Sequence, residues 1–183
     1  MRSVKIYRAG LRSAAFVLMV ISLVSSALAL EIGDQAPDFK LQATDGKTYQ
    51  LSELLKQQAV VLAWYPFAFT RGCTIECKSL AENGHLLKDL EVAYFMASVD
   101  PIEKNKEFAA QYAADFPLLS DPDKQAARDY GVLSMGLFAK RHTFYIGKDG
   151  KILFVDRDVQ PASSAQDMAS KLNELGIPKR TAS

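Results

Sequence analysis

Tyr65-Pro66-Phe67-Ala68-Phe69-Thr70-Arg71-Gly72-Cys73-Thr74-Ile75-Glu76-Cys77 holds both cysteines of the 183-residue chain. Before it runs Val60-Val61-Leu62-Ala63-Trp64, short, apolar and rich in β-branched residues, which reads as a buried strand. After it, Ile75, Leu80, Leu86, Leu87 and Leu90 recur at spacings that fit one helical face. Pro66 and Gly72 interrupt the chain between the two. The expected local order is strand, irregular loop, then a helix starting near Cys73.

That order has chemical consequences. The first turn of a helix carries unpaired N–H groups and a partial positive charge, and it favours a thiolate, the nucleophilic form of cysteine. Cys73 is therefore the candidate nucleophile. Thr70, three residues upstream, offers a hydroxyl to the sulfur or to a bound oxygen. Free cysteines often act only as small buried hydrophobes. A turn-rich loop at a strand end with a second thiol nearby points instead to chemistry.

The N-terminus reads as an address. Arg2, Lys5, Arg8 and Arg12 precede an apolar core at 14–24, and Ala27-Leu28-Ala29 has the small-x-small pattern of a cleavage site. A signal peptide over residues 1–29 and a single domain over 30–183 are expected, and retention as a membrane anchor is the alternative. Cleavage leaves 154 residues, enough for a core, with 18 cations against 21 acids and a net charge of −3. That balance argues against nucleic acid as a partner. Signal cleavage implies no stable membrane association afterwards, and export places the protein in the periplasm or another extracytoplasmic compartment. Such compartments favour disulfides, but a Cys73–Cys77 bridge closes too small a loop to stabilise much, so a redox role suits the pair better.

Along the rest of the chain, Phe39 and Leu41 alternate with polar residues up to the turn Asp45-Gly46, and Thr48-Tyr49-Gln50-Leu51 returns as a hairpin. Ser52 and Glu53 open a short helical piece reaching about Gln57. Residues 92–99 read as a second buried strand, 102–114 as a helix, 116–120 as a short strand and 121–130 as a helix ended by Gly131. Residues 134–139 read as an apolar loop. Residues 142–146 and 152–155 flank a hairpin turn, and 165–175 is a final amphipathic helix. Alternating strands and helices with hairpins near both ends indicate an α/β domain with a central mixed sheet flanked by helices. Arg141 stands at the start of a sheet strand, and this fold class places it near Cys73, where a cation would hold a developing oxyanion.

At this point the residues resemble a family. Pro66-x-x-x-Thr70-x-x-Cys73 is similar to the active-site motif of peroxiredoxins, and Gly33-Asp34-x-Ala36-Pro37-Asp38-Phe39 resembles their N-terminal opening. Ser98-Val99-Asp100, Ser120-Asp121-Pro122-Asp123, Tyr130-Gly131-Val132 and Arg141-x-Thr143-Phe144 fall where that family has similar segments. Phe67-Ala68-Phe69-Thr70 followed by Gly72-Cys73-Thr74 is most similar to the bacterioferritin-comigratory, or Q-type, branch. The resemblance implies a thioredoxin-like fold and reduction of hydrogen peroxide and organic hydroperoxides without metal or organic cofactor. It further implies that Cys73 becomes a sulfenic acid, that Thr70 and Arg141 bind and polarise the peroxide, and that Pro66 shields the sulfur. A thiol reductant, either a thioredoxin-like protein or a low-molecular-weight thiol, is the implied partner, with the chain a monomer or homodimer.

One feature departs from the Q-type pattern, which usually carries its second cysteine five residues after the first, whereas Cys77 lies four after. On an intact helix i and i+4 hold their Cβ atoms roughly 5–6 Å apart, and a disulfide needs about 3.5–4.5 Å. Cys77 can resolve Cys73 only if the first helical turn distorts. Cys-x-x-x-Cys near a strand end also resembles the Sco-type copper chaperones, with His142 as a third ligand beside Cys73 and Cys77. Against that reading, a nearby arginine disfavours a second cation, and a histidine opening a strand is more often half-buried structure. Phe67, Phe69, Leu137 and Phe138 suit either an apolar collar or an interface.

Overall fold

A computed structural model describes residues 29–180; the segment read as a signal peptide lies outside the described residues except for Ala29. Seven strands form one mixed sheet in the order β2-β1-β5-β4-β3-β8-β9. Its centre is β3 (Ala59–Trp64), buried at every position. On one side β3 pairs in parallel with β4 (Val92–Ser98), and on the other it pairs antiparallel with β8 (His142–Ile146). The hairpin of β1 (Lys40–Ala43) and β2 (Thr48–Gln50) closes one edge through β5 (Leu118–Ser120), and β9 (Ile152–Asp156) closes the other.

Side chains alternate across a strand, so β3 feeds two cores. Val60, Leu62 and Trp64 join Phe95, Phe144 and Tyr130 on one face, beneath α1 (Leu51–Leu54) and α5 (Gln125–Asp129). Val61 and Ala63 join Tyr65, Met96 and Tyr145 on the other, beneath α2 (Arg71–Asn83), α3 (His85–Lys88), α4 (Ile102–Gln111) and α6 (Ser164–Glu174). Burying each large aliphatic side chain contributes about 1.5–3 kcal/mol, which keeps the sheet and its strand ends rigid. No helix among the described residues is long and apolar enough to cross a membrane.

Several local expectations need correction. The leucine-rich run after Cys73 is not one helix: the chain bends at Gly84, where a Cβ would lie 2.6 Å from the Tyr94 hydroxyl. Leu80 before the bend and Leu87 and Leu90 after it point inward, while Ile75 and Leu86 are exposed. Residues 134–139 are not a loop but most of a small hairpin, β6 (Leu133–Ser134) with β7 (Phe138–Ala139). Helix α1 stops at Leu54, short of Gln57. Ser52 does not cap it; Asp38 accepts from both the Ser52 N–H and its hydroxyl, at 2.9 and 3.0 Å.

Candidate active site

The site forms where β3 ends. The Tyr65 N–H donates to Ala97 O at 2.9 Å, the last strand-like contact before Pro66 turns the chain away. The loop that follows is pinned from below. Asp100, buried at the end of β4, accepts from the Ala68 N–H at 2.8 Å and pairs with Lys104 at 2.7 Å. The Tyr65 hydroxyl donates to Asn105 at 2.7 Å, and Asn105 in turn donates to Leu119 O. Phe69 sits at φ 69, a left-handed conformation that a bulky residue adopts only when its surroundings impose it.

Helix α2 begins at Arg71, two residues earlier than the spacing suggested, with Thr70 as its N-cap. Its first intrahelical bond runs from the Thr74 N–H to Thr70 O. The N–H groups of Arg71, Gly72 and Cys73 therefore have no partner within the helix, in the turn that carries the sulfur. Thr70 does not spend its hydroxyl proton on the cap; it donates to Phe67 O at 3.0 Å. Since a hydroxyl has one proton, what Thr70 offers the site is an acceptor.

Arg141 comes from the residue before β8 and reaches across the sheet end. Its Nη2 donates to Cys73 Sγ at 3.1 Å and its Nη1 pairs with the Glu76 carboxylate. Gly72 leaves room for this reach: a Cβ there would stand 3.1 Å from Nη2. Burial works to lower the Arg141 pKa, but Glu76 and Cys73 outweigh it and hold the guanidinium firmly charged. Burial pushes the Glu76 carboxyl up to about 7, and Arg141 pulls it back only in part. One Glu76 oxygen, Oε1, has no partner.

Cys73 and Cys77 are both free and have no exposed surface. Cys77 is one turn deeper in α2. Burial, then the charges of Glu76 and Cys73, push its thiol up to about 12, so it stays protonated at neutral pH. Pro66 is half-buried beside the sulfur-bearing turn. The Phe67 ring packs on Phe138 at 5.3 Å, which joins the site loop to the β6–β7 hairpin.

The structure thus gathers Pro66, Thr70, Cys73, Cys77 and Arg141 at one sheet end. It does not bring His142 there. Arg141, Thr143 and Tyr145 alternate with His142, Phe144 and Ile146; Tyr145 belongs to the cysteine-side core and Phe144 to the opposite one. The His142 ring lies tilted 6.5 Å from that of Phe144, on the far face from the thiols. The copper-chaperone reading fails on that geometry, and no group of three metal-ligating side chains is assembled among the described residues. Sequence reasoning missed Glu76. A lone glutamate on a helix reads as solvated, and its only signal is its place three residues after Cys73, on the same helical face.

The profile of the AhpC/TSA family matches residues 32–155. Peroxiredoxin Bcp of Escherichia coli is 34% identical over 152 residues, covering 79% of this chain and 97% of that protein. The crystal structure of peroxidoxin BcpB from Mycobacterium tuberculosis superposes with a TM-score of 0.72 at 32% identity, over 79% of this chain and 97% of that one. A Cys-to-Ser variant of PrxQ from Xylella fastidiosa superposes with a TM-score of 0.75 at 23% identity, over 81% and 99%, a likeness of fold.

Proposed function

This chain belongs to the AhpC/TSA family and is a peroxiredoxin, a thiol-dependent peroxidase, and on that footing we propose that Cys73 is the sulfur that attacks the peroxide. Its mixed sheet flanked by helices is the thioredoxin-like architecture. The observation that carries the assignment is the 3.1 Å donation from Arg141 to Cys73 Sγ at the first turn of α2. A charged donor and free helix N–H groups there stabilise negative charge as it shifts from sulfur to oxygen.

The Cys73 thiolate attacks one peroxide oxygen, an S–O bond forms as the O–O bond breaks, and the departing oxyanion takes a proton from water to leave as water or alcohol. Thr70 accepts the peroxide O–H, while Arg141 and the N–H groups of Gly72 and Cys73 donate to the oxygens. Glu76 holds Arg141 in place. Pro66 and Phe67 cover the sulfur and keep bulk water from it. Cys77 then displaces water from the Cys73 sulfenic acid to give a disulfide. A thiol reductant restores both thiols, giving up two electrons and two protons. Hydrogen peroxide and organic hydroperoxides are the substrates, the apolar collar of Phe67, Phe69 and Phe138 suiting the latter.

Stopped-flow mixing of reduced protein with hydrogen peroxide, followed by Trp64 fluorescence and a thiol count, tests the assignment. Equimolar consumption that Cys73→Ser abolishes is expected. Cys77→Ser should consume peroxide at a rate within about twofold of wild type and stop at the sulfenic acid. Reaction no faster than that of a free thiol overturns the peroxidase reading.

We also propose export with cleavage after Ala29, on the basic, apolar and small-x-small order of residues 1–29. A mature chain beginning at Leu30 in the extracytoplasmic fraction is expected, and a full-length cytosolic chain overturns it.

A further inference from the structure

We propose that Asp100 is a positioning residue for the peroxide reaction, acting through the Ala68 N–H to hold the turn that carries Thr70 and opens α2. This rests on the reading of Cys73 as the sulfur that peroxide oxidises. The first observation is the turn itself. Phe67 to Thr70 closes on Phe67 O, which accepts from the Thr70 N–H at 3.5 Å and from the Thr70 hydroxyl at 3.0 Å. Its third residue is Phe69 at φ 69, a place that usually takes glycine or asparagine. A phenylalanine does not keep this conformation unaided, so its surroundings must impose it.

Both restraints come from the end of β4 and from α4. The Phe69 ring meets Phe108 edge-on at 5.2 Å, but Phe69 is 40% exposed and that contact is partial. The firmer restraint is the buried bond from the Ala68 N–H to Asp100 at 2.8 Å. Asp100 is itself fixed. The Ser98 hydroxyl lies 3.2 Å from the oxygen that takes the Ala68 N–H, and Lys104 pairs with the other oxygen at 2.7 Å. The Asp100 C=O accepts from the Ser120 hydroxyl at 2.6 Å. A carboxylate only 5% exposed is tolerated because every one of these groups meets it. Lys104 also lies over the Phe67 ring, 5.6 Å from its centroid, so α4 holds the residues on both sides of Ala68.

The chemistry depends on that hold. Thr70 presents an acceptor to peroxide only while its proton stays on Phe67 O, and as N-cap it sets where the first turn of α2 begins. Freeing the Ala68 N–H lets Phe69 relax to negative φ, which displaces Thr70 and frays the turn that carries Cys73. Attack on peroxide then slows. The proposed Cys73–Cys77 disulfide gains, because it needs the same turn to unwind. Asp100 therefore favours the first step at the expense of the second.

The test follows both phases of the reaction of the full chain with hydrogen peroxide by stopped flow. Asp100→Ala should slow the peroxide phase about 10-fold and speed the disulfide phase about two- to fivefold. Asp100→Asn keeps an oxygen for the Ala68 N–H while Lys104 turns to water, and its peroxide phase should stay within about twofold of wild type. A mere loss of stability, read from the urea midpoint, would not drive the two phases in opposite directions. Phe69→Asn suits the left-handed turn without a restraint, so in that background Asp100→Ala should cost no more than about threefold. The wild type alone supplies a further check. In the reduced chain the Ala68 amide should exchange its hydrogen at least about 100-fold more slowly than exposed loop amides, and it should lose that protection once the disulfide forms. An unslowed peroxide phase or a slowed disulfide phase in Asp100→Ala overturns the proposal. So do failure of asparagine to rescue, equal losses in the two backgrounds, or an unprotected Ala68 amide. A wild type without a disulfide phase fails resolution by Cys77 and leaves the peroxide phase and the reduced-state exchange to decide. A wild type whose thiols peroxide does not consume fails the reading of Cys73 instead.

Discussion

A single hydrogen bond, from Arg141 to the Cys73 sulfur, separates this thiol from an ordinary buried one, and Gly72 makes it possible. Gly72 is in the first turn of α2 and has no positive φ, so alanine fits the backbone and is the better helix former. Its Cβ would nonetheless crowd Nη2 at 3.1 Å and push the flexible end of Arg141 off the sulfur. Gly72→Ala is therefore expected to slow peroxide consumption by about 10-fold, the cost of weakening one charge-assisted hydrogen bond, while the denaturation midpoint holds or rises slightly. An unchanged rate constant would show that Arg141 keeps its contact or that the contact is idle. At this scale the sequence was informative about Cys73, Thr70 and Arg141, because a thiol at a helix start and a cation at a strand start have recognisable positions. It was silent about Glu76, and it offered His142 as a ligand only in the alternative reading, while the half-buried histidine it preferred is what the structure shows. Which face a strand residue takes depends on register, and register is set by the whole sheet.

At the scale of an element, the proposed resolution of Cys73 by Cys77 sets α2 two incompatible tasks. Intact, it presents the free N–H groups and packs Cys77 and Leu80 into the core. Yet residues i and i+4 of a regular helix hold their Cβ atoms about 5–6 Å apart, beyond disulfide reach, and the thiol of Cys77 is pushed up to about 12 while buried. Resolution therefore requires the first turn to unwind, and that movement also pulls Glu76 from Arg141. Ile75 lies between the cysteines and is 38% exposed, so it can be changed without opening the core. Ile75→Gly weakens the turn by about 0.5–1 kcal/mol and is expected to speed disulfide formation about two- to fivefold, with the peroxide step little altered. The two phases of a stopped-flow trace separate these effects, and an unaccelerated second phase would mean that unwinding is not what limits it. Most elements were legible because β3 and β4 are short apolar runs followed closely by Pro66 and by Asp100-Pro101, and α4 carries a helical apolar spacing after Pro101. The bend at Gly84 and the β6–β7 hairpin were not. The first depends on Tyr94 reaching over from β4, and the second on a methionine in a turn position that usually takes Asn, Asp or Gly.

For the molecule as a whole, stability sums every titrating group, and Glu76 contributes with an unusual sign. Burial raises its carboxyl from the ordinary 4.5 to about 7, with Arg141 opposing and Asp156 adding to the rise. Between those values the folded chain holds a proton that the unfolded chain releases, so this group's contribution is full below about 4.5 and is lost as pH climbs through about 7. Other groups shift on folding as well: Asp121 is raised, chiefly by burial, His142 is lowered, also by burial, and Asp38 is lowered because its burial is outweighed by bonds from Gln50 and Ser52. Comparing wild type with Glu76→Gln cancels them. The stability difference between the two, measured by urea denaturation from pH 4.5 to 7.5, is expected to shift against wild type by on the order of 2–3 kcal/mol. A flat difference would mean that Glu76 stays ionised throughout, its pairing with Arg141 matching the cost of burial. The two outcomes differ in what they leave for the sulfur. A protonated Glu76 leaves the guanidinium charge to Cys73 alone, whereas an ionised one shares it, so the same pair of proteins compared for peroxide rate across that range would show whether the buried carboxyl moderates the site it supports.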